Sequence, residues 1–166
     1  MPRSTGPDQR PGRPPSLAAY PTYLVAQLAK SSNRALTEAL AGQDVTPGHF
    51  AVLAAVDDLG ALTQQQLADA LDVDKSHMVA VIDHLERLGS VARERDPGDR
   101  RCHRIAITEA GRRRVQALHR TDAELQHQLL QPLGPAERDQ FTALLGRLVD
   151  WHDGRRRSAS TGGSAS

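Results

Sequence analysis

The stretch RERDPGDRRCHR, Arg93 to Arg104, sets five arginines and three acids around a Pro-Gly pair. A guanidinium offers a fork of N–H donors that matches phosphate, so arginines at this density suit a negatively charged partner. The interleaved acids suit a solvated hairpin equally well, its charges pairing among themselves. Other chemistry is poorly supplied. Phosphate-cradling glycine loops, G-x-S-x-G nucleophiles and H-E-x-x-H metal helices have no match in the sequence, so neither an enzyme nor a cofactor is expected. The single cysteine, Cys102, excludes an internal disulfide and cannot build a cysteine zinc site. None of the seven histidines pairs at four-residue spacing with carboxylates in a metal-binding pattern, so no metal is expected either.

The whole chain narrows the setting. Its 166 residues suffice for one core domain with polar tails, and its formal charge of +1 conceals an uneven distribution. Met1–Ser16 and Asp153–Ser166 carry +2 each, which leaves −3 for Leu17–His152. Bulk charge therefore decides nothing about nucleic acid, and only local clustering can. Both ends are rich in Pro, Gly, Ser and Arg and are expected to be disordered tails over residues 1–16 and 153–166. No apolar run approaches the roughly 20 residues of a membrane span, and the N-terminus lacks a signal peptide's apolar centre. A cytoplasmic protein without membrane partners is the expectation.

The elements that must position the arginines follow from periodicity. Leu24, Val25, Leu28, Leu36, Ala39 and Leu40 mark a first long helix over about 17–41. Thr46 and Pro47 open a second helix that stops at Gly60. Thr63 and Gln66 form a capping-box pattern for a short third helix to about Leu71. Asp74 then caps KSHMVAVIDHLERLG, where Met78, Val81, Ile82, Leu85 and Leu88 make the buried stripe and Gly89 the stop. Two short helices across a tight turn read as a helix-turn-helix. Val91 begins a strand, the DPGD turn reverses it, and Ile105 and Ile107 alternate in the return strand. Thr108 caps a long helix to about Leu130, and LGPAE opens a last one carrying Phe141, Leu144, Leu145 and Leu148. The order is ααααββαα, mainly α with a small β-hairpin.

Residues 62–111, LTQQQLADALDVDKSHMVAVIDHLERLGSVARERDPGDRRCHRIAITEAG, resemble the MarR family of bacterial transcriptional regulators. The matching features are Leu67-Ala68, Val81 to Leu85 with Leu88-Gly89, Val91, Arg93, DPGDRR and IAITEAG. The resemblance implies a winged helix-turn-helix domain over residues 17–152. It divides this into a DNA-binding lobe at about 46–110 and dimerisation helices at about 17–42 and 108–152. It further implies a homodimer on a palindromic operator of double-stranded DNA, most simply a repressor. Apolar stripes on the first and last helices, more than a small middle lobe can cover, support a partner chain independently.

Carried over residue by residue, the resemblance places Lys75, Ser76, His77 and Val79 in the major groove, with Ala80 beside them. Relatives often carry Thr-Arg where this chain has Val79-Ala80, so base reading should be sparse here. The wing should supply the rest. Arg101 at its tip is expected to enter the minor groove, Asp99 and Arg93 to orient the wing, and Arg95 and Arg100 to bind phosphates; Arg93 can alternatively bind phosphate or brace a helix end. Ser90 is read as a connector, and Arg112–Arg114 as a solvated helix face.

Family members commonly release DNA when a small, often anionic aromatic ligand fills a crevice. By resemblance that crevice would involve Tyr23, Gln27 and Lys30 of the first helix with His49 and Phe50 of the second. His49, near a helix N-terminus, is the anion-binding candidate, and a packed structural histidine is the alternative. Two further readings stay open: a winged-helix module for protein contacts, and a redox-responsive regulator using Cys102 beside its arginines.

Overall fold

The computed structural model describes residues 14–96, 98 and 102–162, with side chains to 155. It comprises α1 (Pro15–Ala18), α2 (Pro21–Ala39), α3 (Pro47–Leu59), β1 (Leu62–Thr63), α4 (Gln64–Leu71) and α5 (Lys75–Arg87). Then come β2 (Val91–Arg95), β3 (His103–Ile107), α6 (Glu109–Leu129) and α7 (Pro135–Gly162). The fold is a winged helix, mainly α, with a three-stranded antiparallel sheet in the order β1-β3-β2. By contacts the chain divides into two units, Met1–Asp122 and Ala123–Ser166.

The first unit carries the core. Leu53 of α3, Leu67 of α4, Ile82 and Leu85 of α5 and Leu118 of α6 are wholly buried, joined by Val52, Val56, Met78, Val91, Ile105 and Val115. Each large aliphatic side chain removed from water contributes on the order of 1.5–3 kcal/mol, so these contacts fix how α5 is held. Local signals act where expected. Thr63 Oγ1 accepts from Gln66 N at 3.2 Å while Gln66 Oε1 accepts from Thr63 N at 2.8 Å, completing the capping box of α4. Thr108 Oγ1 accepts from Gly111 N at 3.0 Å and so caps α6. Gly89, at φ 64°, ends α5 in the left-handed region that a Cβ would disfavour.

Four expectations need correction. The first long helix does not run from Leu17: Pro21 cannot donate to a preceding turn, so it starts α2, and a separate turn, α1, precedes it. Asp74 occupies the N-cap position of α5 without a side-chain cap bond. The hairpin gains a third strand, β1, which pairs Leu62 with Ile105 and Thr63 with Arg104; two residues are too few to show alternation. Finally, the expected tail from residue 153 is helical to Gly162 as the end of α7. No proline interrupts it, and the Arg155 guanidinium lies over the Trp151 ring at 4.8 Å, one turn back. Residues 1–13 lie outside the described residues.

The second unit consists of the end of α6 and α7. Along α7, Leu144, Leu148, Val149 and Trp151 are exposed, Leu148 by 55% and Trp151 by 57%. In the first unit α2 buries no residue fully, and its Leu24 and Val25 are exposed. No described helix is long and apolar enough to cross a membrane.

Candidate DNA interface

Helix α5 turns one face inward through Met78, Val81, Ile82 and Leu85. The opposite face at its N-terminal end therefore presents Lys75, Ser76, His77, Val79 and Ala80, all exposed. The sequence-predicted major-groove residues thus lie together on one surface. Lys75 and Ser76 offer donors at a helix start, where free amide groups also favour a phosphate. His77 lies close to the start of α3: a Cβ on Gly48 would sit 3.9 Å from its Nε2. Val79 and Ala80 offer only apolar contact.

Behind this face the helix carries Asp83 and Glu86, which give Asp74–Arg87 a net charge of −1. Both would repel phosphate if left open. Arg93 of β2 meets them: its Nη2 donates to Asp83 Oδ1 and its Nη1 to Glu86 Oε2. The hydrogen bond from Asp83 foremost, with the charges of both acids, raises the Arg93 pKa further above its ordinary value against desolvation. Arg93 thus ties β2 to α5, with both ends of its guanidinium engaged by carboxylates.

The wing is a regular ladder pairing Val91 with Ile107, Arg93 with Ile105 and Arg95 with His103. Asp96 N donates to Cys102 O at 3.0 Å and closes it. Beyond that bond Asp96 organises the turn: its Oδ1 accepts from Gly98 N at 2.7 Å, and its Oδ2 lies 3.0 Å from Arg104 Nε. Sequence reasoning missed this role. The signal was available, since Asp two residues before a turn glycine commonly accepts that glycine's amide. Arg95 is exposed on the last ladder pair, and Cys102 is exposed as well. Asp99, Arg100 and Arg101, the expected orienter, phosphate ligand and groove reader, lie outside the described residues.

Ser90 is more than a connector. It is completely buried, its Oγ accepts from Arg114 Nη1, and its carbonyl accepts from Thr108 N at 3.0 Å. The rest of the Arg112–Arg114 run is also engaged, Arg112 with Asp57 at 3.0 Å and Arg113 with Glu109 at 3.2 Å. Arg112 and Arg113 are exposed, as a solvated face requires, whereas Arg114 is half-buried against Ser90.

Of the expected crevice residues, Tyr23 and Gln27 are half-buried on α2 and Lys30 is exposed. Phe50 meets His119 of α6 edge-on at 5.1 Å. His49 has structural work: its Nδ1 accepts from Thr46 N at 2.9 Å in the capping box of α3, and its ring stacks on His84. Burial foremost, then the nearby His84, lowers its pKa, with Asp44 opposing. His49 is thus engaged by the α3 cap and the His84 ring.

Comparison with known proteins agrees with this geometry. The MarR family model matches residues 45–103, the span from the start of α3 into the wing. A structure of a mutant MarR from E. coli complexed with operator DNA superposes with a TM-score of 0.69 at 25% identity, over 76% of this chain and 91% of that one. Over the lobe from α3 into the wing, the chain is similar to MarR-family regulators. Among similar proteins, the transcriptional regulatory protein assigned to the hcr operon in Thauera aromatica is 37% identical over 109 residues. That alignment spans 64% of each chain, so about a third of the relative's length has no counterpart in it. The HTH-type transcriptional regulator PecS of Dickeya dadantii is 27% identical over 140 residues, 81% of this chain and 84% of the relative.

Proposed function

We propose that this protein is a MarR-family, cytoplasmic transcriptional regulator that binds duplex DNA as a homodimer on a palindromic operator. The observation that carries the reading is the exposed Lys75–Ala80 face of α5, whose neighbouring acids are withdrawn into the Arg93 brace. With one α5 per half-site, the half-sites fall about one helical turn, roughly 34–36 Å, apart. Lys75, Ser76 and His77 contact phosphates or base edges, and Val79 contacts a thymine methyl. Arg95 and Arg100 bind phosphates, and Arg101 enters the minor groove. Few base-reading side chains on α5 leave much of the discrimination to the wing and to DNA shape. The operator complex of the E. coli relative supports DNA as the partner.

Repression is the simplest consequence of occupying a promoter. A small, anionic aromatic ligand seated by Tyr23, Gln27, Lys30 and Phe50 releases the DNA. Selection of bound fragments from genomic DNA tests the reading: recovery of an inverted repeat protected as a two-fold footprint is expected, and recovery of no enriched sequence would overturn it. A panel of aromatic acids that changes neither the melting temperature nor the DNA affinity would remove the ligand from the scheme.

A further inference from the structure

Two histidine rings tie the recognition helix to the corner before α3. His49 of α3 and His84 of α5 stack with centroids 4.4 Å apart and planes 23° from parallel. Their hydrogen bonds show where the protons sit. A main-chain amide only donates, so His49 Nδ1, accepting from Thr46 N, is bare. A carbonyl only accepts, so His84 Nε2, 2.7 Å from Asp44 O, carries the hydrogen. His84 Nδ1 then accepts from Arg87 Nη2 at 3.3 Å. Asp44 itself is held in the left-handed region, at φ 57°, in the loop that leaves α2. A bond spanning 40 positions thus fastens α5 to that loop.

We propose that the His49–His84 stack is a proton-sensitive latch that positions the recognition helix, so that DNA affinity falls as the medium turns acid. The inference rests on α5 being the DNA-reading element. A proton on His49 Nδ1 would face the Thr46 amide, donor against donor, removing that half of the α3 capping box and drawing the ring towards Thr46 Oγ1, 3.0 Å away, and out of its stack. The surrounding groups work against that proton. Burial, His84 and His77 hold His49 below its ordinary value, while Asp44 pulls the other way. The Asp44 carboxylate, 3.8 Å from His84 Nε2, is largely exposed, which weakens its pull. Arg87 adds a positive charge from α5, and on the α6 side His119 faces Phe50, not His49. Because the folded-state value is depressed, the unfolded or unlatched chain takes the proton first. Latch stability is complete above the free-histidine value of 6.5 and is lost as pH falls through the folded value.

The test compares wild type with His49→Gln, because glutamine at the third helical position preserves the capping box but does not titrate. Affinity for a selected genomic fragment is measured by fluorescence anisotropy between about pH 8 and about pH 5, and histidine ring resonances of the free protein are titrated by NMR. Wild type should lose affinity several-fold more than His49→Gln as pH falls, with the His49 resonance titrating below free histidine. Parallel pH profiles for the two proteins, or a His49 resonance titrating at or above free histidine, would overturn the latch. Should His49→Gln not fold, His84→Gln, whose amide can still donate to Asp44 O, serves the same comparison. If no duplex binds even at about pH 8, the DNA-binding reading fails, and the NMR titration of the free protein still decides whether the stack excludes the proton.

Discussion

Gly111 is the most tightly confined of the described glycines. A Cβ there would lie 2.0 Å from the Ser90 carbonyl oxygen and 2.8 Å from Ile107 Cγ1. The first of these is backbone held by Thr108 N, so it cannot swing aside. Gly111→Ala should destabilise the fold by about 1–3 kcal/mol or more, visible as a lower denaturation midpoint in urea. An unchanged midpoint would mean that α6 does not pack against the start of β2 this closely. Thr63→Ala removes an ordinary cap by contrast and should cost about 1 kcal/mol. Both effects were partly legible in the sequence. The Thr-x-x-Gly pattern at Thr108 and the Thr-x-x-Gln pattern at Thr63 are local signals, each satisfied within one turn. Ser90 was not legible, because its burial and its bond to Arg114 join positions 24 apart.

At the scale of elements, periodicity located α3 to α6 and the hairpin because each buries one continuous face against a single core. It missed β1, which is two residues long and exists only through pairing with β3. It also left Arg93 ambiguous, since a lone arginine on a strand looks the same whether it faces phosphate or a neighbouring helix. The brace gives a separable expectation. Arg93→Gln should change the stability of the fold by only about 1 kcal/mol, the pairs being partly solvated, while DNA affinity falls much further as Asp83 and Glu86 are uncovered towards phosphate. A loss of stability that accounts for the whole loss of binding would refute that separation. The wing tip makes the complementary prediction. Arg101→Ala should weaken binding to A·T-rich operators more than to G·C-rich ones, and Arg95→Ala should lower the slope of log affinity against log salt by about 0.9. Equal affinity before and after either change would remove that arginine from the interface.

For the whole molecule the telling feature is what stays wet. Leu24 and Val25 on α2 and Leu144, Leu148, Val149 and Trp151 on α7 are exposed in the single chain. Helical faces of this kind are covered in homo-oligomers by a second copy. Leu148→Glu should therefore yield a monomer in gel filtration and nearly abolish operator binding, with the helical circular-dichroism signal largely kept. A dimer that survives this change would place the interface elsewhere. Pairing also makes thermal stability depend on chain concentration, so the melting temperature should rise on concentrating the protein. There is a consequence for gene control. If only the pair grips both half-sites, and pairs form from dilute single chains, occupancy climbs with the square of the free chain's abundance. A promoter governed this way responds to dosage with a threshold instead of a proportion, and the uncovered leucines of α2 and α7 set where that threshold lies.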